Sequence, residues 1–166
     1  MDNLITDRTL EDVNEMKAIL NKIKQLGDFD ELTNAEKLKF NTLQSKGSYD
    51  YVDFNRVNEW VAFISNNLNT ENYRNVVNTK TDWSEEDIVT LSDTINYLNN
   101  INVLREAFYV KSDTPDTPID LKNLSYDEAN AIEQILFDIN DLYNKMFSVF
   151  RYCDTFNCGD GLEELD

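Results

Sequence analysis

Four times this chain repeats one local pattern: a helix-capping residue, an acid three positions later, then a single apolar stripe at helical spacing. The caps are Thr9, Asp50, Ser84 and Ser125, and the acids are Asp12, Asp53, Asp87 and Glu128. The stripes fall at Val13, Met16, Leu20 and Ile23; at Phe54, Val57, Val61 and Ile64; at Ile88, Leu91, Ile95 and Leu98; and at Ala129, Ile132, Leu136 and Ile139. A cap oxygen accepts from the free N–H groups of the first helical turn, and an acid at the third position complements the positive helix end. Apolar side chains recurring at three and four then bury one face. The pattern therefore predicts long amphipathic helices and offers no chemistry of its own.

Composition agrees with an all-α reading. Only 4 Gly and 2 Pro are present, too few for the many corners of an all-β fold. A chain of 166 residues suits one domain that buries about 70% of its unfolded surface, without metal or disulfide support. No apolar run approaches the roughly 18 residues of a membrane span. The first residues, MDNLITDRTLEDV, lack a basic start and an apolar stretch, so synthesis in the cytosol without export is expected.

The formal charge is −17 and it is unevenly placed. Residues 1–48 carry 9 acids and 7 bases, whereas residues 49–166 carry 23 acids and 8 bases. Such a surface repels nucleic acid and anionic lipid and favours cationic partners, or it serves solubility alone.

The spacing predicts a first helix from Thr9 to Leu26, stopped by Gly27 in the left-handed conformation. Thr33 and Glu36 form another capping box, opening a shorter helix that ends at Gly47, with Ala35, Leu38, Leu43 and Phe40 as its apolar face. Asp50 opens a helix to about Leu68, and the polar stretch 69–82 holds a short strand at most, around Val76 and Val77. Ser84 opens the next, its stripe continuing through Ile101, Leu104 and Phe108. Both prolines lie in residues 112–123, which no helix can cross, so this stretch is a crossover loop or a hinge. The last helix runs from Ser125 to about Arg151.

The expectation is one helical domain over residues 1–151, a bundle of four long helices and one short helix, followed by an irregular acidic tail at 152–166. Cap-to-cap spacings of 41, 34 and 41 residues fit one helix recipe used four times as well as they fit duplication. Tyr49, Trp83 and Leu124 each precede a cap and are placed to staple the first turn against Phe54, Ile88 and Ala129.

Catalytic signatures are missing. The chain has no histidine, which excludes Ser-His-Asp and Cys-His catalysis and His-bearing zinc sites. No phosphate or dinucleotide loop occurs. The acids at Glu85, Glu86 and Asp87, at Asp113, Asp116 and Asp120, and at Asp154 and Asp160 do not fit calcium-loop spacing and read as solvated carboxylates. Cys153 and Cys158 form a C-x4-C pair, read as two free thiols in a reducing cytosol or as a structural staple if oxidised. No cofactor or metal is expected. Arg56 sits in the second turn of a helix whose positive end repels it by about 0.3–1 kcal/mol. It calls for a carboxylate, Asp53 at i−3 or an acid on a neighbouring helix, unless it contacts another chain.

Three stretches together resemble a family of small proteins encoded in the tail modules of phages and prophages of Gram-positive bacteria. They are KGSYDYVDFNRVNEWVAFI (46–64), TKTDWSEEDI (79–88) and LSYDEANAIEQIL (124–136). Matching positions include Gly47, Tyr49, Asp53, Asn55, Arg56 and Val57; Thr79, Lys80, Thr81, Asp82 and Trp83; and Leu124, Tyr126, Ala129, Asn130, Ile132 and Glu133. The resemblance implies a virion-associated protein near the baseplate or tail tip, without catalysis, contacting other tail proteins and assembling with copies of itself or not. It departs at the C-terminal segment, where this chain carries its two cysteines.

Trp60, Phe63, Tyr73 and Tyr109 fall off or beside the main stripes, as interface anchors or as a wider core face. Two other functions stay open: an acidic inhibitor that mimics nucleic acid and binds a basic host protein, and a small hydrolase using paired carboxylates in a deep acidic cleft.

Overall fold

The structure, a computed structural model, describes residues 3–153. It is all-α, with helices α1 (Leu10–Leu26), α2 (Asn34–Gly47), α3 (Tyr51–Thr70), α4 (Leu91–Ala107) and α5 (Tyr126–Cys153). A single 3-10 turn, Phe29–Glu31, links α1 to α2, and no strand occurs among the described residues. Residues 154–166, including Cys158 and most of the acidic tail, lie outside the described residues.

The helix starts follow from local chemistry. At α1 the Asp12 N–H donates to Thr9 Oγ1 and the Thr9 N–H returns to the Asp12 carboxylate. Thr33 with Glu36 and Ser125 with Glu128 close the same reciprocal box at α2 and α5. At α3 the Asp50 N–H donates to Asp53 Oδ2, 3.0 Å away. Gly27 ends α1 at φ 88°, a conformation that costs glycine nothing.

The start of α4 differs from the expectation. Ser84 donates from its N–H and its hydroxyl to the Asp87 carboxylate, but the Asp87 N–H goes back to the Ser84 carbonyl, so only half of the box forms, around one isolated turn. A second box, Thr90 with Asp93, opens the helix at Leu91. Thr90 is extended, at φ −88° and ψ 166°, so the helical path from Ser84 is broken there. The later start sets which face is buried. Ile88, Leu91 and Ile95 are 85%, 75% and 60% exposed, and the face in the core is Tyr97, Leu98, Ile101 and Leu104.

Two cores form. The larger joins α3, α4 and α5 through Val57, Val61, Ile64, Leu68, Ile101, Leu104, Ile132, Leu136 and Ile139. The smaller lies between α1, α2 and the 3-10 turn, around Met16, Ile19, Leu32 and Leu43. In α1 the inward residues are therefore Met16 and Ile19, with Leu20 exposed. In α2 Leu43 is buried and Phe40 packs edge-on against Phe29 at 5.2 Å, while Leu38 and Ala35 face solvent. Gly47 makes the α1–α2 packing possible: a Cβ there would stand 2.5 Å from Met16 Cβ and 2.7 Å from the Asp12 carbonyl oxygen.

The proline-containing stretch is pinned to the helices. Thr114 Oγ1 donates to Asp138 Oδ2 at 2.7 Å, Arg105 donates to the Pro115 carbonyl, and Lys111 bridges Asp138 and Asp141 on α5.

Candidate functional site

The chain's most constrained chemistry is a buried set of four charges where the two cores meet. Arg56 on α3 donates through Nε and Nη2 to both oxygens of Glu133 on α5, at 3.1 and 2.7 Å, and also to Asp53 one turn earlier. Arg8, on the arm before α1, places Nη2 2.9 Å from Asp53 Oδ1 and 2.6 Å from Glu133 Oε1. Its Nη1 donates to the Ile5 carbonyl and its Nε to the Ser45 carbonyl near the end of α2. Glu133 Oε2 also accepts the Ile5 N–H at 2.7 Å. All four side chains are buried.

Asp53 therefore has two roles. One oxygen caps α3 and the other receives both guanidinium groups. Burial pushes its carboxyl above the usual carboxylate value, outweighing the Asp50 N–H and the Arg56 and Arg8 charges. At Arg56, burial acts to lower the guanidinium, but the hydrogen bonds and charges of Glu133 and Asp53 outweigh it and hold it above the ordinary arginine value. Breaking a buried pair by removing one partner costs about 3–5 kcal/mol, so the four groups lock the α1–α2 pair to the three-helix core.

Tyr49 extends this centre. Its hydroxyl lies 2.5 Å from that of Tyr97 on α4, and burial pushes both phenols up. Its ring lies under the Arg8 guanidinium, 5.4 Å from the centroid, and meets Phe54 edge-on at 5.7 Å. The staple expected of Tyr49 is present. The one expected of Trp83 is not: its ring packs on Phe54 at 5.7 Å, Ile88 points to solvent, and Lys80 Nζ sits 3.9 Å above the indole.

Asparagine side chains do what a sheet would otherwise do. Asn130 on α5 accepts the Arg8 N–H at 3.0 Å and donates to the Arg8 carbonyl at 2.9 Å. Asn55 on α3 holds the Trp83 backbone in the same two-point manner, at 2.8 and 2.9 Å. Asn100 on α4 holds Asn78, and Asn69 holds Asn75. Each amide supplies one donor and one acceptor to an irregular segment; at Arg8, Asn78 and Trp83 the backbone groups so satisfied are partly buried, and at Asn75 they are exposed.

Of the resemblance positions, Tyr49, Asp53, Arg56, Asn130 and Glu133 converge on the charged centre, and Asn55 meets Trp83. Tyr126 sits apart from the ion pairs, on a cleft of about 380 Å³ that it shares with Arg8, Lys17, Lys46, Gly47 and Tyr49. No acidic side chain lines that cleft. The carboxylates of the larger groove along α1 and α2 are mostly tied to lysines, Glu15 to Lys39 at 2.7 Å and Glu36 to Lys22.

Comparison of the chain with known protein families, curated proteins and solved structures finds no match.

The expected interface residues divide. Trp60 and Tyr73 are half-buried against the larger core, Trp60 meeting Phe63 edge-on at 5.7 Å and Tyr73 meeting Phe108 at 4.9 Å. Phe63 and Tyr109 are exposed. Arg8, Asn100 and Tyr97 are the residues that sequence reasoning missed. Arg8 carried the same signal as Arg56, a cation just at a positive helix end, and Asn100 carried none.

Among the described residues, no group of three or more acids or cysteines is placed to hold a metal ion, and no helix is long and apolar enough to cross a membrane.

Proposed function

We propose that this protein is a non-catalytic structural or adaptor component of a phage tail or baseplate, made in the host cytoplasm and carried in the virion, acting through protein–protein contacts. The observation that carries the reading is where the resemblance residues go. Tyr49, Asp53, Arg56, Asn130 and Glu133 are consumed in one internal joint, which fits a family likeness that concerns the frame. Recognition is then left to exposed apolar and acidic side chains. In this reading the five helices act as one bundle-like body, four long and one short.

Mass spectrometry of purified particles tests it. A tail component is present in stoichiometric amount, and its absence from particles overturns the assignment.

The second reading, an acidic inhibitor of a basic host protein, is favoured by one feature. Residues 81–96 carry Asp82, Glu85, Glu86, Asp87 and Asp93 with no Lys or Arg. It requires tight binding to a basic host protein that weakens steeply with salt.

A further inference from the structure

We propose that the exposed apolar face at the start of α4 is a docking surface for a cationic amphipathic helix of a partner protein. This deepens the adaptor reading and rests on it. Leu91 and Ile95 lie one turn apart on the same side of α4, and Ile88 and Val89 stand just before the Thr90 cap. Leu98, the next residue of the stripe, is buried, so the face runs from solvent into the core on a rigid helix. Asn96 and Asn100 both donate to the Asn78 carbonyl and fix that helix to the preceding segment. Ile88, Val89, Leu91 and Ile95 put four exposed aliphatic side chains within eight residues, a local density that an interaction surface has.

The charges that immediately precede it along the chain select the occupant. Asp93 is used in the Thr90 cap, and Asp87 in the Ser84 cap and the pair with Lys80. Asp82, Glu85 and Glu86 remain exposed, with no hydrogen bond or ion pair among the described residues. A second copy brings the same net charge of −17 to the face and supplies no basic surface to answer these carboxylates. An anionic lipid surface is repelled for the same reason. A helix with Leu, Ile or Val at three- and four-residue spacing, flanked by Lys or Arg, matches both the apolar face and its border.

The test uses the full chain and a fluorescent synthetic peptide of about 15 residues, with Leu at helical spacing and Lys elsewhere, beside a scrambled peptide of equal composition. Anisotropy is expected to show the patterned peptide binding about tenfold more tightly or better, because only it presents a contiguous apolar face. Leu91→Ser with Ile95→Ser removes that preference; both residues are exposed, and circular dichroism checks that the helices are kept. Glu85→Gln with Glu86→Gln weakens binding and flattens its salt dependence. Equal binding of both peptides, or a preference that survives the Leu91 and Ile95 changes, overturns the proposal. So does a concentration-dependent dimer that those changes abolish, which assigns the face to a second copy. A chain present in particles that shows no such preference loses the docking face alone, and one that binds but is absent from particles loses the tail assignment alone.

Discussion

Asn130 and Arg8, 122 positions apart, are joined by two hydrogen bonds between the amide of one and the backbone of the other, while the Arg8 side chain reaches Glu133 one turn further along α5. The arm before α1 is thus fixed to the last helix by backbone and side chain together. The groups that make this contact are polar, so its strength can be measured without emptying a hydrophobic site.

Glu133→Gln is the sharpest probe of that joint. It leaves Arg8 and Arg56 buried with Asp53 as the one remaining carboxylate between them. The expected loss is about 3–5 kcal/mol of unfolding free energy, read from urea denaturation. A loss below about 1 kcal/mol shows that the charges are solvated or already balanced elsewhere.

Asn55→Ala tests the amide clamps. The Trp83 N–H and carbonyl lose their partners, at about 1–3 kcal/mol for each group left unsatisfied. Trp83 fluorescence should shift as the indole loosens from Phe54. In the parent protein, native-state hydrogen exchange should find the amides of Arg8, Asn75, Asn78 and Trp83 slow within otherwise irregular stretches.

Gly47→Ala separates two opposed effects. Alanine favours a helix by about 1 kcal/mol over glycine. The added Cβ, however, meets the Met16 side chain and the Asp12 carbonyl inside contact distance, and overpacking costs about 1–3 kcal/mol. Net destabilisation is expected in thermal melts; a raised melting temperature would mean that α1 and α2 can move apart freely.

Glu36 gives a pH signature. Hydrogen bonds from Lys22 and Thr33 hold its carboxyl at about 2, below the usual 4.5. A lowered folded value means the stabilisation is present above 4.5 and disappears as pH falls toward 2. The gap in urea midpoint between the parent and Glu36→Gln should therefore be constant above pH 5 or so, and close near pH 2.

The buried side of α4 can be read by a pair of truncations. Leu98→Ala is expected to cost about 2–5 kcal/mol and Ile95→Ala less than about 0.5 kcal/mol. Equal costs would place the apolar stripe at Ile95 in the core after all.

That helix also marks where sequence stops being sufficient. Capping is local, so Thr9, Thr33, Asp50 and Ser125 were legible, and so were the stripes of α3 and α5, where Phe54, Val57, Val61, Ala129, Ile132 and Leu136 are all buried. Ser84 misleads because two cap-and-acid pairs lie six residues apart, and the one at Thr90 closes the full reciprocal box and continues as a helix. Trp83 is anchored by Asn55 and Phe54, and α4 is tied through Asn100 to Asn78, contacts that no local pattern announces. The need of Arg56 for a carboxylate was visible in its position. That both expected sources supply it, and that Arg8 shares them, depends on contacts 77 and 125 residues apart.

Irregular backbone packed beside helices is a hazard in any crowded assembly, because unpaired N–H and carbonyl groups offer another chain a place to add itself. Here side chains on folded helices close three such openings: Asn69, Asn100 and Asn55 in turn occupy the backbone at Asn75, Asn78 and Trp83. An intruding strand would have to displace amides already held on folded helices. At those three positions the clamps leave no free backbone pair on which a foreign strand could template itself.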